Sequence, residues 1–534
     1  MIIIMKLYIN GEFHAMDTSL NVFSALLEED GKIADVGDSE TLIAKYPDAE
    51  VVDLGGKCVI PGIIDTHTHL CWSAYSEMTT ILPAPLSNKD LFADLSERVK
   101  NAEKGEWIIY KNAYPLRLDE LRYPTKEELD AIAPDNPVIV NGHYSAQVNS
   151  AALRIIELDK LNPGASVMYD EAGNPTGVLA GAKTYLDQFF YNDKGDPDEA
   201  IVSLMHEYNK CGITMAVDAM CKPDDIRRVS RLYKDGKQTV RVRYTVAASD
   251  AVCEEAKGID TGNPDFGRLR FAKDFLDGGF LTATSFMEYP YHNMKEIFGI
   301  ETDGEDNCGM IFLTKEQLAD KIRLARKYGL QYGAHCVGSG ASQRLLDAYK
   351  IVDAESKIKG ERHSLIHADF MDDDAISDAN SMGIAVLFQP AWHYMDAHRV
   401  ELFLHPKEVE RFMKYKTILK ADLAAAGSDH MVKHDPDESV NPYNPFMGMY
   451  NMSTCRARDG KAYGAESAVS RDDALASYTR EAARVCFDEE CLGTLEVGKF
   501  ADFVVLDNNY FTCPEEEIPA IRAEMTVVNG KRVW

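Results

Sequence analysis

Nowhere in these 534 residues is there a run of about 18 apolar side chains, so the sequence offers no membrane-spanning helix. The opening stretch, Met1 to Lys6, is too short for a signal-peptide core and reads as the lead into a strand. Basic residues are in deficit: 57 Lys and Arg stand against 86 Asp and Glu, a formal net charge of −29. Such a surface repels phosphate backbones and anionic lipid, so no nucleic acid and no membrane partner is expected; a small-molecule substrate is expected from the motifs and not from the charge. The 11 cysteines are odd in number and scattered, with no C-x-x-C pair. Neither a disulfide framework nor a structural zinc knuckle is indicated, and a reducing cytoplasm is the expected setting. A G-x-S-x-G nucleophile elbow, a P-loop and a dinucleotide fingerprint are also missing, and Gly338-Ser-Gly340 resembles a phosphate loop only in its glycines. What is present, 45% hydrophobic and 27% charged residues, is ordinary for a large globular protein with a sizeable core.

Both ends carry short β-segments with glycine-containing turns. Residues 5–15 alternate around Asn10-Gly11, a hairpin signal, and similar segments recur at 32–37, 51–60, 501–507 and 525–534. Neither end alone has enough strands for a stable sheet. One small β-sandwich domain assembled from 1–58 and 490–534 is therefore expected. Between them, buried-strand runs at 59–66, 214–219, 241–247, 269–276, 331–336, 364–368, 384–389 and 423–428 alternate with helical patterns such as 198–210, 314–328 and 341–349. That alternation predicts an α/β fold, a distorted (β/α)8 TIM barrel over 59–489. The first two runs lie about 145 residues apart, far beyond a normal connection. Apolar runs near Trp107 and Pro137 and a helical pattern at 126–132 mark residues 75–200 as a folded insertion placed to cap the barrel mouth.

The sharpest motif is Asp65-Thr-His-Thr-His69, behind a Pro-Gly turn and an apolar strand. Side chains alternate along a strand, so His67 and His69 face the same way and can ligate one ion, with Asp65 on that face a step deeper. His335, His367 and Asp429 each fall at the C-terminal end of a predicted strand, the face on which barrel enzymes build their sites. Imidazole and carboxylate ligands suit zinc and neighbouring divalent ions. Lys273 falls inside the fourth strand, where a buried ammonium is costly. Two readings stay open for it: an ion pair with Asp274 or Asp277, or an amine that has reacted with CO₂ to give a metal-bridging carbamate.

Taken together, Asp65-Thr-His-Thr-His69, the strand-end His335, His367 and Asp429, and the split β-domain resemble the amidohydrolase superfamily. Further segments, among them His143-Tyr-Ser-Ala-Gln-Val-Asn-Ser and Lys273-Asp-Phe-Leu-Asp-Gly278, resemble its YtcJ-like group. That group includes N-substituted formamide deformylase and proteins labelled exoenzyme regulatory protein AepA, and the likeness spans essentially the whole chain. It implies one or two divalent metals, zinc first. His67, His69 and Asp429 would hold the more buried ion, His335 and His367 the more exposed one, and Lys273 would bridge them if carboxylated. It also implies hydrolysis of a non-peptide carbon–nitrogen bond (an N-formyl, N-acyl or cyclic amide), with Asp429 moving the proton, and a homodimer. Deamination or ester hydrolysis on the same site, and a regulatory protein on this scaffold, are the alternatives. Against deamination, His335 is followed by Cys-Val-Gly rather than an H-x-x-E motif; against the regulatory reading, all six candidate ligands are present. The chain departs from the group's pattern at Ile366, at Cys336-Val-Gly-Ser339 and at His430. His143, Tyr114, Tyr291 and His393 are expected to contact substrate.

Overall fold

The computed structural model describes residues 5–534 apart from 79–80, 84, 112, 143–144, 162–164, 190–194, 295–296 and 298–306. Eight parallel strands form its central sheet in sequence order: β1 (Ile63–Thr68), β2 (Ile213–Asp218), β3 (Arg241–Ala247), β4 (Gly267–Phe275), β5 (Gln331–His335), β6 (Ser364–Ile366), β7 (Ala385–Phe388) and β8 (Ala424–Ala426). Every residue of β1 and β2 is buried, which is why these strands read as continuous apolar runs rather than alternating ones. The covering helices are amphipathic and capped. Lys315–Lys327, for example, opens on a capping box between Thr314 and Gln317 and buries Leu318, Ala319, Ile322 and Ala325. The expected α/β barrel is thus present.

The ring nearly closes between β8 and β1. Ile64 N donates to Tyr478 O at 2.8 Å, while farther along Thr66 Oγ1 donates to Ala426 O at 2.8 Å and Asp429 N to His67 O at 2.7 Å. At this seam a Cβ on Gly427 would lie 2.6 Å from His67 N and 3.0 Å from Asp65 Oδ1. Only glycine allows the two strand ends so close.

Two expectations are corrected here. The run predicted at 59–66 is divided at Gly62. Cys58–Pro61 pairs with Phe503–Leu506 in a terminal sheet, and only Ile63–Thr68 enters the barrel. Asn10-Gly11 does not close a hairpin. Lys6–Ile9 pairs with Ala25–Glu29 and Glu50–Asp53, whereas Glu12–His14 pairs with Val22–Phe23 and Cys58–Pro61. The left-handed Asn10 (φ 54°) instead turns the chain from one sheet to the next. The second of these sheets combines N- and C-terminal strands, and Tyr8, Leu26 and Ile33 of the first pack against Phe13, Val59 and Phe503 of the second.

Between β1 and β2 lies a fourth sheet, of six strands, running from Ser166–Tyr169 at one edge to Ile81–Pro83 at the other. One of its apolar clusters takes in Met431 and Val432, just beyond Asp429, so the insertion is packed onto the barrel mouth. Among the described residues no helix is long and apolar enough to cross a membrane.

Candidate metal centre

At the C-terminal ends of the barrel strands, six polar side chains singled out above converge. His67 lies in β1 and His69 caps the helix that follows it, Leu70–Ser76. Lys273 lies in β4, His335 ends β5, and His367 and Asp429 follow β6 and β8. His367 and Asp429 have φ of 68° and 53°. This left-handed conformation costs a non-glycine residue roughly 1 kcal/mol or more, strain of the kind that collects at functional sites.

Asp429 Oδ1 stands 3.5 Å from His67 Nε2 and 3.2 Å from His69 Nε2. Lys273 Nζ stands 3.0 Å from His67 Nε2. Ligand atoms of His67, His367 and Asp429 all lie within 4.8 Å of one another. The His367 ring meets those of His67 and His335 at centroid distances of 4.7 and 4.6 Å. Three histidines have one nitrogen engaged elsewhere: His69 Nδ1 donates to Ala219 O (3.1 Å), His335 Nε2 to Gly278 O (3.2 Å) and His367 Nδ1 to Gln389 Oε1 (2.8 Å). Each such bond sets the tautomer and leaves the other nitrogen with its lone pair for an ion.

The electrostatics agree with that assignment. Burial, reinforced by the nearby Lys273 amine, holds the His67 imidazole down at about 3 and that of His335 at about 4. Burial and the neighbouring His335 hold His367 well below the ordinary imidazole value. Burial alone would raise the Asp429 carboxyl, but bonds to His67 and His69 hold it well below the usual carboxylate range. Burial lowers the Lys273 amine to about 8. Neutral imidazoles, an ionised carboxylate and a readily neutralised amine are the protonation states a divalent ion requires of its ligands, so the residues fit such an ion without singling out one metal.

Supporting residues, most of them not foreseen from the sequence, hold this cluster. Asn441 Nδ2 donates to Asp429 O at 2.7 Å and to Oδ2 at 3.1 Å, which leaves Oδ1 to face the histidines. Asp65, expected on the ligand face, instead accepts from His67 N (3.1 Å), Ser428 N (3.0 Å) and Ser428 Oγ (2.6 Å), fastening β1 to the turn that carries Asp429. Trp392 stacks on His367 at 5.0 Å and 11°. Gln389→Leu is expected to weaken divalent-metal affinity by about 10–100-fold, the usual effect of losing a partner that orients a ligand. Competition against a chelating dye measures this, and unchanged affinity would remove His367 from the ligand set.

A cavity of about 600 Å³ opens on the cluster, walled by Trp72, Lys111, Tyr114, Phe275, Phe280 and Trp392 among others. Of the residues expected to contact substrate, Tyr114 lines it, and His143 lies outside the described residues. The other two are corrected. Tyr291 is 7% exposed, and its hydroxyl is bonded to Ser285 Oγ (2.6 Å) and donates to Ser285 O (2.8 Å). His393 stacks on Phe412 and bonds Asn451 Nδ2 at 3.0 Å. Successive helix residues point about 100° apart, so Trp392 takes the cavity side of Pro390–Asp396 and His393 the packed side.

The departures from the family pattern are structural. Val337 N and Gly338 N donate to Asp277 at 3.0 and 2.8 Å, and Phe286 N does so at 3.0 Å. This ties the loop after β5 to the loop after β4, even though burial pushes the Asp277 carboxyl up to about 8. Ile366 packs into the barrel interior with Leu387, and His430 Nδ1 meets Tyr208 OH at 3.0 Å.

The (β/α)8 barrel with a histidine-rich cluster at its mouth places the chain in a class that comparison with known proteins identifies. Residues 50–534 match the model of the amidohydrolase family, and the chain belongs to that family. It is 25% identical to the putative amidohydrolase YtcJ of Bacillus subtilis (strain 168), over 96% of each chain. It is 27% identical to N-substituted formamide deformylase of Arthrobacter pascens, over 98% of this chain and 97% of that one. Among solved structures, an uncharacterized metal-dependent hydrolase from Pyrococcus horikoshii OT3 superposes with a TM-score of 0.71 at 24% identity, over 96% of this chain and 99% of the other, a likeness of fold alone.

Proposed function

We propose that this chain is a metal-dependent hydrolase of a carbon–nitrogen bond outside peptides: an N-formyl, N-acyl or cyclic amide. The observation that carries the reading is the convergence of His67, His69, His367 and Asp429 with Lys273 in one buried cluster open to one cavity. On this reading His67, His69, His335, His367, Asp429 and a carboxylated Lys273 would together hold one or two divalent ions, zinc being the first metal to test. A divalent ion bound there supplies Lewis acidity, lowering the pKa of water to about 7 and polarising the scissile carbonyl.

The chain's own residues do the rest. Asp429 Oδ2, the oxygen turned from the histidines and held by Asn441, takes the proton from the attacking water and returns it to the leaving nitrogen. Gln389 and Trp392 keep the His367 ring from rotating. Tyr114 and Lys111 of the insertion, with Trp72, wall the mouth and limit bulk water at the reacting bond.

A relative named N-substituted formamide deformylase directs the first assays to N-formyl amines. Protein purified without chelators should contain divalent metal and turn over a member of a panel of N-formyl amines, N-acyl amines and cyclic amides. Chelation should abolish that activity and re-metallation restore it. Metal below about 0.1 equivalent after careful preparation, or no turnover of any amide by fully metallated protein, overturns the reading.

A further inference from the structure

Phe275 and Phe312 are the only two phenylalanines among the described residues left strongly exposed, at 40% and 44%. Both line the cavity over the metal centre. Phe275 follows Lys273 by two residues on the same face of β4. Its ring centroid lies 5.4 Å from that of His335 and 5.3 Å from Lys273 Nζ. Phe312 is brought in by an antiparallel bridge between Asp277 and Ile311, with Phe312 N donating to Leu276 O at 2.9 Å. The two rings therefore come from neighbouring strips of chain on the β4 side of the mouth.

Two other aromatics of the cavity wall are packed. Phe280 lies against Phe403, Phe412 and Trp392, with centroids at 6.4, 5.4 and 6.1 Å, and Trp392 lies flat on His367. Among the large hydrophobic side chains described in the cavity lining, Phe275 and Phe312 alone are strongly exposed, and they stand beside His335 and Lys273. Apolar surface left open inside a concave site, next to a few convergent polar groups, is surface that a ligand covers. A short alkyl group on the substrate would leave both rings wet. A flat ring would cover them and add offset or edge-on aromatic contact to the burial.

We infer that Phe275 and Phe312 form the specificity wall of this site and select a substrate whose amide carries an aryl-sized, flat apolar substituent, seated over the two rings while its carbonyl reaches the metal centre. This rests on the proposed hydrolase reading and goes beyond it by naming the substituent and the residues that read it.

Hydroxamates test it without knowledge of the true substrate, because they chelate a divalent ion through two oxygens whether or not the protein turns them over. Acetohydroxamate and phenylacetohydroxamate are titrated calorimetrically into the metal-loaded full chain, then into Phe275→Ala and Phe312→Ala. Exposure of both rings means that truncation opens no hole in the core. The aryl compound is expected to bind about tenfold tighter or better in the wild type, and each truncation to reduce that ratio by about threefold or more. A wild-type ratio near one, or a ratio unchanged in both variants, overturns the inference alone. Failure of acetohydroxamate to bind the metal-loaded protein overturns the hydrolase reading and the inference with it.

Discussion

Asp429→Asn is expected to lower turnover of the protein's best amide substrate by about 10²–10⁴-fold, the range that a positioned acid–base group supplies. The substitution is chosen because little else should change. Asn tolerates the left-handed backbone at this position (φ 53°) better than any other residue of similar shape. Its side-chain oxygen can still accept the 3.1 Å bond from Asn441 Nδ2, and the backbone bond from Asp429 N to His67 O at 2.7 Å is untouched. What is lost is the charge that meets His67 and His69 Nε2 at 3.5 and 3.2 Å, together with the group that stores the proton between attack and departure. Metal content and turnover must therefore be read together, at saturating metal. Turnover that collapses with metal retained assigns the proton to Asp429. Near-normal turnover with metal bound would end that role. Loss of metal and turnover in parallel would make Asp429 a ligand before anything else.

Much of this centre could be located from local pattern, and the physical reason is specific. A barrel strand is a short apolar run whose C-terminal end faces the active site, so a polar residue closing such a run announces its own position; His335, His367 and Asp429 did so. Long-range partners carry no such mark. Asp65 binds Ser428 and Asn441 binds Asp429. Arg117 of the insertion spans Asp396 through Nε and Nη2, both at 2.7 Å, while Nη1 holds Val440 O at 2.6 Å, next to Asn441. The Asp65 and Arg117 ties join segments that only the closed fold brings together, and Asn441 meets Asp429 across an irregular loop, so neither spacing nor composition reveals them. Where local pattern misled, one signal served two structures. Asn10-Gly11 suits a hairpin and equally a step between sheets, and in Pro390–Asp396 only the helix phase separates the cavity-facing Trp392 from the packed His393. The long ties also extend the site beyond its histidine and carboxylate cluster: the insertion that walls the cavity is anchored by Arg117 to the same loop that orients Asp429.

Lys273 is the residue on which the number of metals turns. It is 1% exposed, its Nζ lies 3.0 Å from His67 Nε2, and among the described residues no carboxylate comes within ion-pairing distance of it. A buried ammonium without a direct ion pair is costly, and burial, only partly opposed by the Asp429 charge, lowers this amine to about 8. Reaction of the neutral amine with CO₂ forms an N–C bond, releases one proton and replaces the misplaced cation with an anion that can bridge two ions. Protein grown or exchanged with ¹³C-bicarbonate should then show one carbamate carbon signal, lost in Lys273→Ala. That variant should bind less metal and lose more turnover than the roughly 10–100-fold typical of a merely supporting partner. Formate, acetate or propionate, which offer a free carboxylate to the vacated space, should restore part of the activity. If Lys273 acts only as a buried cation, Lys273→Arg keeps the charge and should keep activity. If it acts as a carbamate, Lys273→Arg should be as inactive as Lys273→Ala and insensitive to added carboxylate. An active Lys273→Arg in protein without a carbamate signal would leave the site a single-metal centre built on His67, His69, His367 and Asp429.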